Sequence, residues 1–326
     1  MSRHLVIDTD PGIDDALAIL LALSARDVSV EALTTVAGNV SVDLATSNAQ
    51  RILAVAGRDP RPRVARGAPA PLKRALVTAG HVHGQDGLGN LERFVEPDGR
   101  PRYPEPVDEL ETRPAAEVIL DAADRWGSEL TVVALGPLTN LATAAALDAR
   151  RLARAGRIVV MGGAVAVPGN VTPAAEFNFY VDPDAAAAVF EAGLPIDLVS
   201  LDVTRKVVLA QATLTERLMR CPGLVARFIL DFTLHGFAFG GEREGGGIVL
   251  HDPLAMAVAL DPSVVSFEPF FVEVEREGRL TRGLSLADRR EMPSHRKRAP
   301  NCRVAMDVDA ERVLGMVLEG LCPASA

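Results

Sequence analysis

Four carboxylates crowd one short stretch of this chain. Asp8, Asp10, Asp14 and Asp15 fall within eight consecutive positions of "VIDTDPGIDDALAIL" (6–20), and no Lys or Arg stands between Arg3 and Arg26. Negative charges held that close in a low-dielectric pocket repel one another, and a hard divalent cation with oxygen ligands relieves the repulsion. A solvated acidic turn needs no ion. Asp14 and Asp15 at a helix start would also complement its dipole by ~0.3–1 kcal/mol each, which explains at most two of the four. An EF-hand fails, because the twelfth position counted from Asp8 or Asp10 is Ile19 or Leu21, where that loop requires Glu. A phosphatase of the haloacid dehalogenase type could use Asp8 as nucleophile and Asp10 as acid/base, but it expects Thr or Val where this chain has Gly12.

Two further constellations are weaker on their own. In "LHDPLAMAVAL" (250–260), Asp252 and Pro253 fit the N-cap and first position of a helix, with His251 just before them. In "AEFNFYVDP" (175–183), strand-like alternation would turn Glu176 and Asn178 to one face and pack Phe177 and Phe179 on the other. Asn170 closes the preceding "VPGN". A cap beside an incidental histidine and a wet strand edge are the bland alternatives.

The elements that must position these residues alternate along the chain. Apolar β-branched runs at 4–8, 30–38, 130–136, 157–163 and 196–202 are interleaved with Ala/Leu-rich helical runs at 14–25, 43–57, 137–147 and 182–193. Strands uniformly apolar and spaced by helices predict an α/β fold: an open, mostly parallel sheet flanked by helices, with its site at the carboxyl ends of the strands. Asp182 as N-cap, Pro183 as N1 and Gly193 as the C′ residue bound one of those helices. We read residues 1–326 as a single domain. The Gly- and Pro-rich stretches 80–114 and 240–247 read as functional or mobile loops.

Composition narrows the partners. A net charge of −9 offers no general attraction to nucleic acid or anionic lipid. The densest basic stretch, "RREMPSHRKR" (289–298), reads as a solvated loop. No apolar run approaches the ~18 residues of a membrane span, and the start reads as untargeted. Cys221, Cys302 and Cys322 are too few and too scattered for a disulfide framework or a Cys-based zinc site, which suits a reducing cytoplasm.

Taken together and in order, the motifs are specific. "DTDPGIDDA", "TVAGN" ending in Asn39, "HGQDGLG" from His83, "LGPLTN" from Leu135, "MGG" at Met161, "EFN" at Glu176 and "HDP" at His251 resemble the inosine/uridine-preferring nucleoside hydrolases over nearly the whole chain. The resemblance implies hydrolysis of the N-glycosidic bond of purine or pyrimidine ribonucleosides with Ca²⁺ as cofactor. It implies that Asp10, Asp15, Asp252 and the backbone carbonyl of Leu135 hold the ion. Asp14, Asn39, Asn170, Glu176, Asn178 and Asp252 would grip the ribose, with Met161 and Phe177 packed nearby and His83 and His251 at the nucleobase end. Asp10 would be the general base and His251 the leaving-group acid, with His83 as the alternative. It also implies a homodimer or homotetramer in nucleoside salvage or catabolism. Residues 230–249 carry no Tyr or Trp where the family often does; His235, Phe237 and Phe239 stand there instead, either stacking on a base or buried as helix core. "HDP" favours the broad or inosine/uridine-preferring type over the purine-specific one. A catalytically silent nucleoside or ribose binder is the competing reading.

Overall fold

The computed structural model describes residues 3–106, 109–243, 246–291 and 298–322. Its strands are β1 (Arg3–Thr9), β2 (Val28–Thr35), β3 (Arg63–Arg66), β4 (Leu130–Ala134), β5 (Arg157–Met161), β6 (Ile196–Val199), β7 (Val208–Ala210), β8 (Gly247–Val249), β9 (Val265–Phe270), β10 (Val272–Val274), β11 (Ser285–Ala287) and β12 (Cys302–Val308). Its helices are α1 (Ile13–Ser24), α2 (Val42–Ala56), α3 (Gly80–His83), α4 (Ala115–Trp126), α5 (Thr139–Leu152), α6 (Phe177–Val181), α7 (Pro183–Glu191), α8 (Leu201–Thr204), α9 (Gln211–Leu218), α10 (Leu224–Arg243), α11 (His251–Leu260) and α12 (Ala310–Leu321).

Eight strands form one open sheet in the order β3-β2-β1-β4-β5-β6-β12-β9. Every pairing is parallel except the edge, where β9 runs antiparallel to β12. Successive side chains of a strand point to opposite faces, so Leu5 and Ile7 join Leu33, Val133 and Val159 in one core while Val6 joins Ala32, Val132 and Ile158 in the other. The first core is closed by residues of α1, α10, α11 and α12, the second by residues of α4, α5 and α7. Because both faces are covered, the central strands β4, β5 and β6 are mostly apolar, as expected, while β1 and β2 turn polar at their carboxyl ends with Asp8, Thr9, Thr34 and Thr35. The strand order reverses between β1 and β4, which opens a crevice beyond their carboxyl ends.

Local signals behave as the sequence predicts for α7: the Asp182 carboxylate accepts the Ala185 N–H at 3.0 Å, Pro183 opens the helix, and Gly193 adopts φ +70°. Two local readings are corrected. Glu176 and Asn178 do not alternate on a strand; α6 begins at Phe177, and Glu176 is its N-cap, accepting from the N–H groups of Asn178 and Phe179. A carboxylate can satisfy exposed helix N–H groups, and this wins over the weak alternation of a nine-residue run. α11 begins at His251 with Leu250 as the cap residue, so Asp252 lies inside the first turn.

The long polar stretches are also more ordered than expected. α3 and a short turn at Leu91–Arg93 lie within 80–114, and α10 extends to Arg243, into the stretch read as a loop. Arg102 and the Tyr103 hydroxyl both bond to the Asp231 carboxylate at 2.8 Å, tying the first stretch to α10. One disulfide joins Cys221 to Cys322 across 101 positions. Its partners meet because the corner before α10 packs near the end of α12, an approach that spacing does not reveal; the cysteines therefore give no argument for a reducing compartment. The basic stretch at 289–298 lies largely outside the described residues. Among those described, no helix is long and apolar enough to cross a membrane.

Candidate active site

Beyond the carboxyl ends of β1 and β4 lies a cavity of about 620 Å³. It is lined by Asp14, Asn39, His83, Leu135, Met161, Asn170, Glu176, Phe177, Asn178, His251 and Asp252. The two remaining residues singled out in the sequence, Asp10 and Asp15, are fully buried close by. Segments separated by more than two hundred positions thus converge on one place.

The acidic cluster forms the floor. Carboxylate oxygens of Asp14, Asp15 and Asp252 come within 4.8 Å of one another. Asn39 ties in Asp10: its backbone N–H donates to Asp10 Oδ2 at 2.6 Å while its side-chain amide donates to Asp15 Oδ2 at 3.1 Å. Asp15 also accepts from the Gly12 N–H at 2.9 Å and from the Thr9 hydroxyl. Asp10 Oδ1 is buried and has no hydrogen-bond partner. Two glycines make room for this carboxylate, since a Cβ on Gly38 would stand 2.1 Å from Asp10 Oδ2 and one on Gly136 would stand 2.5 Å from Oδ1.

No Lys or Arg pairs with these carboxylates among the described residues. Burial, then repulsion from Asp15, drives the Asp10 carboxyl well above the ordinary carboxylate range. Burial, then Asp14 and Asp15, does the same to Asp252; Asp14 is raised to about 7 by burial and Asp15. A protein left with such a cluster would have to bind protons there, whereas a bound cation reverses the electrostatics and satisfies the orphaned oxygen. All-oxygen ligands suit a hard divalent ion. Asp8 stands apart, held by Thr34 and Asn140 at 2.6 and 2.7 Å; burial raises its carboxyl to about 7.

The side walls are polar and fixed. The Asn178 amide donates to the Leu135 carbonyl at 2.7 Å and lies 3.2 Å from the Met161 carbonyl. Glu176 accepts backbone N–H bonds from Gly163, Asn178 and Phe179; burial outweighs them and pushes its carboxyl up to about 7. His83 Nδ1 accepts from the Ile13 N–H at 3.1 Å. A backbone N–H can only donate, so the neutral ring carries its proton on Nε2. His251 Nδ1 lies 2.8 Å from the Thr204 hydroxyl. Burial lowers both histidines to about 4, so both are neutral near pH 7.

Sequence reasoning missed several residues here. Arg205 lines the cavity and donates to the carbonyls of Pro168 at 2.9 Å and Gly169 at 2.8 Å, fixing the loop that carries Asn170. Nothing in "VTRKV" signals that role. His81 also lines the cavity, edge-on to Phe239 with ring centroids 6.0 Å apart. The two phenylalanines of α10 part company: Phe239 lines the cavity, and Phe237 is buried in the core.

Comparison with known proteins agrees with this geometry. The family described as inosine-uridine preferring nucleoside hydrolase matches residues 5–315. The chain is 40% identical to a probable uridine nucleosidase 2 of Arabidopsis thaliana, covering 98% of this chain and 97% of that protein. It is 36% identical to an inosine-uridine preferring nucleoside hydrolase of Crithidia fasciculata, covering 98% of each. Among solved structures, the plant nucleoside hydrolase PpNRh1 superposes with a TM-score of 0.89 at 35% identity, covering 99% of this chain and 100% of that one. A purine-preferring ribonucleoside hydrolase from Gardnerella vaginalis gives 0.88 at 31% identity, covering 98% of each.

Proposed function

The chain belongs to the inosine-uridine preferring nucleoside hydrolase family and is an N-ribosyl hydrolase, and from that premise we propose a Ca²⁺-dependent ribonucleoside hydrolase that releases free base and ribose. The observation that carries the metal is the buried acidic cluster with an orphaned Asp10 oxygen and no basic partner. Asp10, Asp15, Asp252 and the Leu135 carbonyl would hold the ion. When bound, it would chelate the 2′ and 3′ hydroxyls of the sugar and lower the pKa of a water.

The protein's own groups divide the remaining tasks. Asp10 Oδ1 is a buried acceptor with an open lone pair, and it takes the proton of the attacking water as general base. Asp14, Asn39, Asn170, Glu176 and Asn178 orient the ribose hydroxyls, with Asp252 also touching the sugar and Met161 and Phe177 packing against it. Fixing the sugar supplies proximity and holds the ring as it flattens toward an oxocarbenium-like transition state. Asn178 couples the two ends of this wall, because its amide already bonds the Leu135 carbonyl.

At the base end, His251 is the leaving-group donor, with Thr204 setting its ring. A ring held neutral near pH 7 donates a hydrogen bond as charge builds on the departing base. His83, with its Nε2 proton fixed by Ile13, is a second donor. Phe239 and His81 offer ring surfaces to the base. The relatives' names include uridine, inosine-uridine and purine preference, so family membership alone does not choose among bases; the "HDP" signature supports the broad type. One domain, a cytoplasmic setting, a role in nucleoside salvage and a homodimer or homotetramer complete the reading.

The test is base release from a panel of ribo- and deoxyribonucleosides, with and without prior chelation. Ribonucleosides should be cleaved, deoxyribonucleosides poorly, and chelation should stop both. Asp10→Ala should abolish turnover while leaving the circular dichroism spectrum unchanged. Near-wild-type turnover by that variant would remove Asp10 as base, and nucleoside binding without base release by the wild-type chain would make it a silent binder.

A further inference from the structure

A second cavity, of about 380 Å³, adjoins the first and shares Val77 as a wall. Its chemistry is opposite in sign. Lys73 and Arg74 reach it from the connection between β3 and α3, Arg282 from the turn between β10 and β11, and Tyr180 and Val181 from α6. Among the described residues, the buried carboxylate paired with these cations is Asp184, 3.1 Å from Lys73 Nζ and 3.4 Å from Arg74 Nε; Glu277, on the surface, lies 3.9 Å from Arg74.

The cavity is built rather than incidental. Leu72 N–H donates to Asp182 at 2.8 Å and Arg74 Nη2 donates to the Arg276 carbonyl at 2.5 Å, fixing one wall. Gly283, at φ +78°, lets the hairpin approach α6 so closely that a Cβ would lie 2.8 Å from Tyr180 Cα. That approach seats the Arg282 guanidinium 4.0 Å from the centre of the Tyr180 ring. The Arg282 Nε is nevertheless buried without a hydrogen-bond partner, and the Arg74 Nε meets Asp184 only at ion-pair distance, 3.4 Å. A buried guanidinium N–H left unmet is costly, and a phosphate oxyanion is a ligand that arginine forks bind through paired hydrogen bonds.

We infer that this cavity is a binding site for a phosphate group, either the free ion or a small phosphate monoester. Two guanidiniums and an ammonium outnumber the one enclosed carboxylate, and the space exceeds that of a lone ion. The site is independent of the nucleoside reading, since its ligand is tested by binding and not by base release.

The experiment titrates the full chain with inorganic phosphate and, separately, with ethyl phosphate, an ester without a sugar, by calorimetry in chloride of matched ionic strength. Saturable binding is expected, and tighter binding of the ester assigns the site to an ester while equal affinity assigns it to the free ion. Lys73→Gln removes a side chain that is 68% exposed, so folding is unaffected, and it should weaken phosphate about tenfold, as should Arg282→Gln. Asp184→Asn removes the competing carboxylate and should tighten binding. Heats no different from chloride, affinities indifferent to both Lys73→Gln and Asp184→Asn, or binding lost in Asn178→Ala, which would move the ion into the nucleoside cavity, each overturn the inference.

Discussion

Replacing Asp252 by Asn should give a variant at least as stable as the wild type without calcium and less stable than the wild type with it. Asp252 is almost wholly buried, and its ionised form is opposed by burial and by Asp14, Asp15 and Asp10. In chelator, an uncharged amide of the same shape removes that repulsion, so the variant should melt at or above the wild-type temperature. In calcium the wild type gains what the variant cannot. Linkage gives about 2.7 kcal/mol at a free ion concentration one hundred times Kd. With an unfolding entropy of about 2 cal/mol/K per residue, a chain of 326 residues turns that into a rise of about 4 °C. Differential scanning calorimetry of both proteins, in chelator and in calcium, reads all four temperatures. A wild-type Tm indifferent to calcium, or a variant lower by the same interval in both buffers, would show that the carboxylate only packs and that the cluster holds no ion.

His251→Ala should slow hydrolysis of inosine far more than that of p-nitrophenyl riboside, whose leaving group needs no proton or hydrogen bond; equal losses in kcat/KM on the two substrates would argue against a donor role. Glu176 gives a pH-dependent stability test. Its folded pKa of about 7 is raised from 4.5 by burial, so its contribution is fully present below pH 4.5 and is lost as pH rises through 7, a change of about 3 kcal/mol. Denaturant titrations should therefore show wild type losing stability relative to Glu176→Gln between pH 4.5 and 8, and a constant difference across that window would refute the burial argument. Tyr103→Phe deletes the buried hydroxyl bonded to Asp231 at 2.8 Å and should cost about 1 kcal/mol, because Arg102 keeps the carboxylate paired; an unchanged urea midpoint would show that this strap carries no stability.

Much of the site was legible in the chain because its chemistry is local. The opening acidic turn follows a strand and opens a helix, so Asp10, Asp14 and Asp15 are brought together by a few peptide units. The parallel sheet was legible too: strands buried on both faces favour apolar residues on both, and "LTVVA" and "RIVVM" are apolar apart from Thr131 and the opening Arg157. Asp182, Pro183 and Gly193 marked the ends of α7 through short-range hydrogen bonding and backbone geometry.

Other features depend on approach between distant segments, and tertiary structure alone decided them. Glu176 reads as strand alternation until Gly163 and the start of α6 present their N–H groups to it. Arg205 and Thr204 gain their roles only because α8 ends beside the 168–170 loop and His251. Phe237 and Phe239, two positions apart on one helix, face core and cavity respectively, a choice set by what packs against α10. Cys221 and Cys322 meet because α12 folds back near the start of α10. Sequence encodes the residue types and their local spacing; the sheet order, which reverses between β1 and β4, decides which of them share a cavity.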